Sequence, residues 1–143
     1  MATTQVAAPF REAVPGDISS YDVEGDLSAY EYCFVELDKA RARTVKAYAG
    51  GFPVGVLTNR PVEDPTRTEF STIALVQYKG KALVKVGAGG LAPGDLAKVT
   101  TGGVVVAATP ADGDILVGQC EVGAGEGEIA TIRLFSTYVR VVA

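Results

Sequence analysis

The chain has 143 residues, a formal charge of −4, no histidine, no tryptophan, seventeen glycines and seven prolines. That length suits a single domain able to bury its own core, with no disulfide needed to fold it. Without histidine neither a Ser-His-Asp nor a Cys-His site can be built. No Lys/Arg cluster of the kind that binds nucleic acid and no apolar run long enough to span a bilayer is present, and the N-terminus lacks the pattern of a secretory leader.

The first thirty-two residues carry six acids (Glu12, Asp17, Asp22, Glu24, Asp26 and Glu31) and one base, Arg11, whereas the remainder has eleven acids and twelve bases. Pro9, Pro15, Gly16 and Gly25 interrupt any period there, so residues 1–32 read as an extended acidic arm with apolar anchors at Val6, Phe10, Val14, Ile18 and Tyr21. From Tyr32 the pattern turns to β. Cys33, Val35 and Leu37 alternate with Phe34 and Glu36, and a polar turn leads to a second alternating run at 44–48. Phe52–Leu57 follows Gly50-Gly51, and Thr72–Tyr78 is expected to pair with Ala82–Val86 across Lys79-Gly80. Leu96–Thr100 and Val104–Ala108 are then reversed on Thr101-Gly102-Gly103, followed by strands at 115–122, 129–135 and 138–142.

Two stretches nearly repeat. Phe52-Pro53-Val54-Gly55-Val56-Leu57 is echoed by Ile115-Leu116-Val117-Gly118-Gln119-Cys120, and Glu69-Phe70-Ser71-Thr72-Ile73-Ala74-Leu75 by Glu128-Ile129-Ala130-Thr131-Ile132-Arg133-Leu134. The order is kept, so a duplicated β unit is expected, with half-repeats at about 33–86 and 96–142. The expectation is an all-β fold: one domain over 33–143, a compact barrel or sandwich with an internal pseudo-twofold, plus the extended N-terminal arm. Its core is predicted at Val35, Leu37, Val54, Val56, Ile73, Leu75, Val84, Val117, Ile132 and Leu134.

Few residues suggest chemistry. Cys33 and Cys120 lie in apolar runs and read as buried free thiols, although spacing leaves a bridge between them open. Asp112-Gly113-Asp114 lacks the later ligands of a calcium loop and reads as a solvated turn. The glycine-rich segment 123–127 leads into a strand and carries Glu126, which suits a connector rather than a phosphate loop. Glu69 and Glu128 would be pseudo-equivalent acids at strand starts, where charge protects sheet edges. Lys39, Arg41, Arg43 and Lys46 form one basic patch, read either as a solvated edge or as a contact for an acidic segment such as a neighbour's arm. No catalytic, cofactor or metal residues are expected.

The order of elements carries a resemblance. Leu27-Ser28-Ala29-Tyr30 leading into Phe34-Val35-Glu36-Leu37-Asp38, then Pro53-Val54-Gly55-Val56-Leu57-Thr58-Asn59-Arg60-Pro61, then Leu91-Ala92-Pro93-Gly94-Asp95-Leu96, resembles the capsid decoration, or cement, proteins of tailed bacteriophages over roughly residues 27–135. The resemblance implies a non-catalytic virion protein on the outer surface of the head, made in the host cytoplasm. Its partners would be the major capsid protein and copies of itself, as a homotrimer, with no direct nucleic acid and no membrane. The partner-binding residues would be Val6, Phe10, Arg11, Val14, Ile18, Tyr21, Lys39, Arg41 and Arg43. The competing class is a carbohydrate- or ligand-binding β module, against which the absence of tryptophan and the scatter of the six tyrosines count.

Overall fold

The structure is a computed structural model and describes residues 17–142. Strands β1 (Ile18–Val23), β2 (Phe34–Leu37), β3 (Thr44–Ala47), β4 (Pro53–Leu57) and β5 (Ile73–Gln77) close into a barrel in the order β1-β3-β2-β4-β5. Strands β6 (Lys81–Lys85), β7 (Leu96–Val99), β8 (Val105–Ala107), β9 (Ile115–Val122) and β10 (Ile129–Arg140) form a second sheet in the order β6-β10-β9-β7-β8. A 3-10 turn, Thr101–Gly103, joins β7 to β8.

Read around the ring, the two orders are the same: β1 to β5 correspond in turn to β6 to β10. The register agrees residue by residue. Val56–Gln77 and Leu57–Val76 pair in the first repeat, Gln119–Arg133 and Cys120–Ile132 in the second. Val35–Gly55 is followed by Glu36–Pro53, and Ala97–Gly118 by Lys98–Leu116, so the bulge that bends each strand is duplicated too. The parallel pairing of Val23 with Val45 recurs as a single bridge between Val86 and Val105, through which β6 and β8 touch.

The duplication is therefore real, and its limits move. The repeats are five strands each, over 18–77 and 81–133, rather than 33–86 and 96–142. Residues 18–23, expected in the arm, pair with both β5 and β3. The expected hairpin across Lys79-Gly80 does not form: β5 already has β1 on one edge and β4 on the other, and β6 pairs with β10. That turn is instead the junction between repeats. Gln77 holds it, being 3% exposed and donating from Nε2 to Lys79 O at 2.9 Å and Lys81 O at 2.8 Å. Gln77→Leu is expected to cost about 1–3 kcal/mol, because it strips both carbonyls of their donor. The check is the urea midpoint at unchanged m-value; a wild-type midpoint would mean that the junction does not depend on Gln77.

Val23, Leu27, Val35, Val45, Leu57, Ala74 and Val76 fill the first barrel. Their counterparts Val86, Leu91, Ala97, Val105, Cys120, Ala130 and Ile132 sit in the second core cluster, which also takes in Phe34, Tyr48 and Val56 from the first repeat. The two repeats thus share a core, and each large apolar side chain fully buried in it contributes about 1.5–3 kcal/mol. Tyr138, on the extended end of β10, closes this shared cluster edge-on against Phe34, with ring centroids 5.9 Å apart.

Six of the ten expected core positions, Val35, Val56, Val84, Val117, Ile132 and Leu134, are buried, and Val54 packs half-buried against the first barrel's interior. Leu37, Ile73 and Leu75 are not: they are 47%, 41% and 40% exposed. Leu37 is the last residue of its strand. For Ile73 and Leu75 the cause is register. The Glu-x-x-Thr-Ile-x-Leu match sets Ile73 against Ile132, whereas the pairing sets Val76 against Ile132 and Ile73 against Ile129. A shift of three residues is odd, so it moves a strand's side chains to the opposite face. The match that holds in space is Ile73-Ala74-Leu75-Val76-Gln77 with Ile129-Ala130-Thr131-Ile132-Arg133.

Candidate partner-binding surface

Of the residues expected to bind partners, Val6, Phe10, Arg11 and Val14 lie outside the described residues. Ile18 opens β1, half-buried and paired with Gln77. Tyr21 packs on the interior of the first barrel, with the Arg43 guanidinium 5.9 Å from its ring centroid. Arg43 also donates from Nη2 to Ser20 O at 3.0 Å. Lys39 stands exposed on the turn between β2 and β3. The structure thus brings Tyr21 and Arg43 together while tying both into their own barrel.

Arg41 is engaged as well, 3.3 Å from Asp38 and 3.1 Å from Glu63. Its guanidinium is held above its ordinary pKa, first by the hydrogen bond to Glu63 and then by that to Asp38. Asp38 is lowered chiefly by the Ala40 backbone N–H, and Glu63 chiefly by the Gly25 N–H and then Arg41. Lys46 lies 3.9 Å from Glu36. Two of the four bases read from sequence as a patch, Arg41 and Lys46, are therefore paired with carboxylates of the same molecule, and exposed pairs of this kind are weak individually.

An open cleft of about 410 Å³ runs past these groups, lined by Asp22, Arg41, Thr44, Glu63, Thr72 and Ile73. It continues into a recess of about 80 Å³ bounded by Ser20, Tyr21 and Arg43. Ile73, which lines it, and Leu75, exposed on the same strand, are residues that the sequence assigned to the core. Asn59 keeps that stretch of β5 in place, its side-chain amide donating to Ile73 O at 2.8 Å and accepting from Leu75 N–H at 3.1 Å. The signal that could have found this face is the Ile-Ala-x-Val/Ile match, which puts Ala74 and Val76 inward and leaves Ile73 and Leu75 outward. Apolar side chains beside hydrogen-bonding groups of both signs are the usual make-up of a docking face.

A second recess, about 310 Å³, lies under the long connector 58–72 and is lined by Glu31, Asn59, Arg60, Glu69 and Phe70. Phe70 is flanked by two guanidiniums, Arg60 at 5.3 Å and Arg67 at 4.8 Å from the ring centroid, and Arg67 is paired with Asp26 at 2.8 Å. Glu69 and Glu128 are not equivalent after all. Glu69 lies in the connector, 3.9 Å from Arg67, while Glu128 corresponds in register to Thr72 and accepts from Gly125 N–H at 3.0 Å. The Asp114 carboxylate accepts from Lys98 at 3.3 Å and Ala111 N–H at 3.0 Å, which makes 111–114 a self-satisfied turn. Cys33 and Cys120 are buried and free, and burial pushes both thiols up.

No protein-family model and no curated protein matches the sequence. Among solved structures, the head fiber gp8.5 N base of bacteriophage phi29 matches with a TM-score of 0.56 at 14% identity, over 87% of this chain and 98% of that one. A chain of the capsid of Myoviridae phage XM1 matches with a TM-score of 0.59 at 15% identity, over 93% of this chain and 89% of that one. Across nearly its whole length, then, the chain shares its fold with proteins solved as parts of phage heads.

Proposed function

We propose that this is a structural virion protein that binds the outer surface of a tailed-phage head and stabilises the lattice of the major capsid protein, without catalysis. The observation that carries this reading is the fold shared, nearly end to end, with a phage head-fiber base and a phage capsid chain. A barrel and a second sheet that share a core and present small polar and apolar faces suit a role in which many copies each contribute a modest contact.

The attachment element is residues 2–16, shorter than the arm first expected. Five of the six acids of residues 1–32 lie among the described residues, and Glu12 and Arg11 balance each other ahead of them. Val6, Phe10 and Val14, rather than net acidity, are its anchors, and affinity depends on several of them together. Lys39 and the cleft edged by Ile73 add contacts from the body. Copies meet on the capsid as a homotrimer.

Truncation separates arm from body, provided that it stops before β1; removing residues 2–26 would delete a barrel strand. Loss of residues 2–16 is expected to leave the urea midpoint of the body unchanged and to weaken cosedimentation with heads of the encoding phage at least tenfold. If the truncated chain decorates heads as tightly as the full one, attachment belongs to the β body alone. If the full chain binds neither expanded nor unexpanded heads, the capsid role is wrong.

A further inference from the structure

The two repeats meet through unlike surfaces. From the first repeat comes the segment entering β2 together with the outer side of β4: Phe34 and Val56 are fully buried in the second repeat's cluster, and Tyr32 O accepts from Lys85 N–H at 2.8 Å. From the second repeat comes the seam between β6 and β8. Gly103, at φ +84°, lets the first repeat's backbone in so closely that a Cβ there would fall on the Phe34 carbonyl and 2.9 Å from the Phe34 nitrogen. The wedge explains why β6 and β8 touch only at Val86–Val105.

Duplication places a second copy of each surface at the two ends of the molecule. Tyr32 corresponds to Gly94: both N–H groups donate to the matching strand, Tyr32 to Leu57 O and Gly94 to Cys120 O, and both are left-handed, at φ 70° and 90°. Arg43 corresponds to Gly103 just ahead of β3 and β8, with φ 53° against 84°. Register likewise matches Asp22 with Lys85 and Gln119 with Val56.

Both end surfaces are closed by bonds that the inner pair lacks, a main-chain bond with a guanidinium beside it at one end and a side-chain amide at the other. At the first repeat's seam, the Asp22 N–H, which would receive an incoming carbonyl, donates to Arg43 O at 2.7 Å, and the Arg43 guanidinium covers Ser20 O at 3.0 Å. At the far side of the second repeat, Gly94 O, the counterpart of the wedging Tyr32 O, accepts from Gln119 Nε2 at 3.1 Å. Arg133 Nη2 fixes that amide by donating to Gln119 Oε1 at 2.7 Å. Arg43 is held in the left-handed conformation where the other repeat uses glycine, and a polar Gln119 stands where Val56 is buried.

We infer that Arg43 and Gln119 are end caps: they close the two surfaces by which one copy would stack head-to-tail on a second copy, and so end the array at two repeats. Complementary surfaces at opposite ends of a molecule generate open filaments, and arrays of stacked repeats need polar terminal faces to remain soluble.

The test uses the full chain with Arg43→Gly and Gln119→Val, singly and together, followed by sedimentation velocity over a concentration series. Each single variant should sediment like wild type, since an interface needs both faces open. An equimolar mixture of the two should form complexes joining one of each and no longer species. The double variant should grow with concentration into larger assemblies. A double variant that keeps the wild-type circular dichroism spectrum and the wild-type size at the highest soluble concentration would overturn the inference. Should the double variant not fold, the mixed single variants decide: association supports the caps, and its absence overturns them.

Discussion

Gly55→Ala and Gly118→Ala should each lower the unfolding free energy by about 3 kcal/mol, the upper part of the range for forcing a group into filled space. The added methyl on Gly55 would land on the Gln77 carbonyl and 2.7 Å from Val76 Cγ1; on Gly118 it would land on the Arg133 carbonyl and 2.7 Å from Ile132 Cγ2. A carbonyl in a paired strand cannot swing away as a flexible side chain does, so the hairpin itself has to move. Neither glycine has a left-handed φ, and the cost therefore isolates close approach from backbone strain. Gly127→Ala is the matching control, with φ +82° and nothing within 4 Å of its would-be Cβ, and should cost only the strain of about 1–2 kcal/mol. Equal urea midpoints for Gly118→Ala and Gly127→Ala would show that the strand crossing is looser than the geometry implies.

Ile132→Ala should cost about 2–5 kcal/mol, as expected for truncating a fully buried isoleucine, because Ile132 is 0% exposed in the core cluster shared by both repeats. Ile73→Ala should fall within about 0.5 kcal/mol of wild type, as surface substitutions do, since Ile73 is 41% exposed. The two isoleucines look equivalent in sequence and are separated here by a large factor. Chemical denaturation of both variants checks it. Equal losses would restore the Ile73–Ile132 equivalence and contradict the strand register; a large loss in Val76→Ala beside a small one in Ile73→Ala would support it.

How much was legible shows best at particular residues. The alternation of Cys33, Val35 and Leu37, the turn at 101–103 and the recurrence of Val-Gly marked a duplicated all-β fold, because period-two patterning and turn chemistry are local properties. The partner surface was only half legible. Tyr21, Arg41 and Arg43 do lie together, yet the bonds of Arg43 to Ser20 and of Arg41 to Glu63 join residues far apart in the chain, and nothing in their spacing announces them.

By itself, then, the amino-acid sequence determined the fold class, the existence of the repeat and the buried state of most of the valines placed in the core, since each depends on patterns within a single strand or turn. Only the tertiary structure decided where each repeat begins, which isoleucine faces the core, and why the Val-Gly step occurs twice. A strand reads the same whether it pairs with the next strand or with one fifty residues away, and a glycine carries no mark of the backbone that will cross it. Those choices are made by the closing of the ring, where β1 reaches β5 and β6 reaches β10, and a slip of three residues is enough to exchange inside for outside.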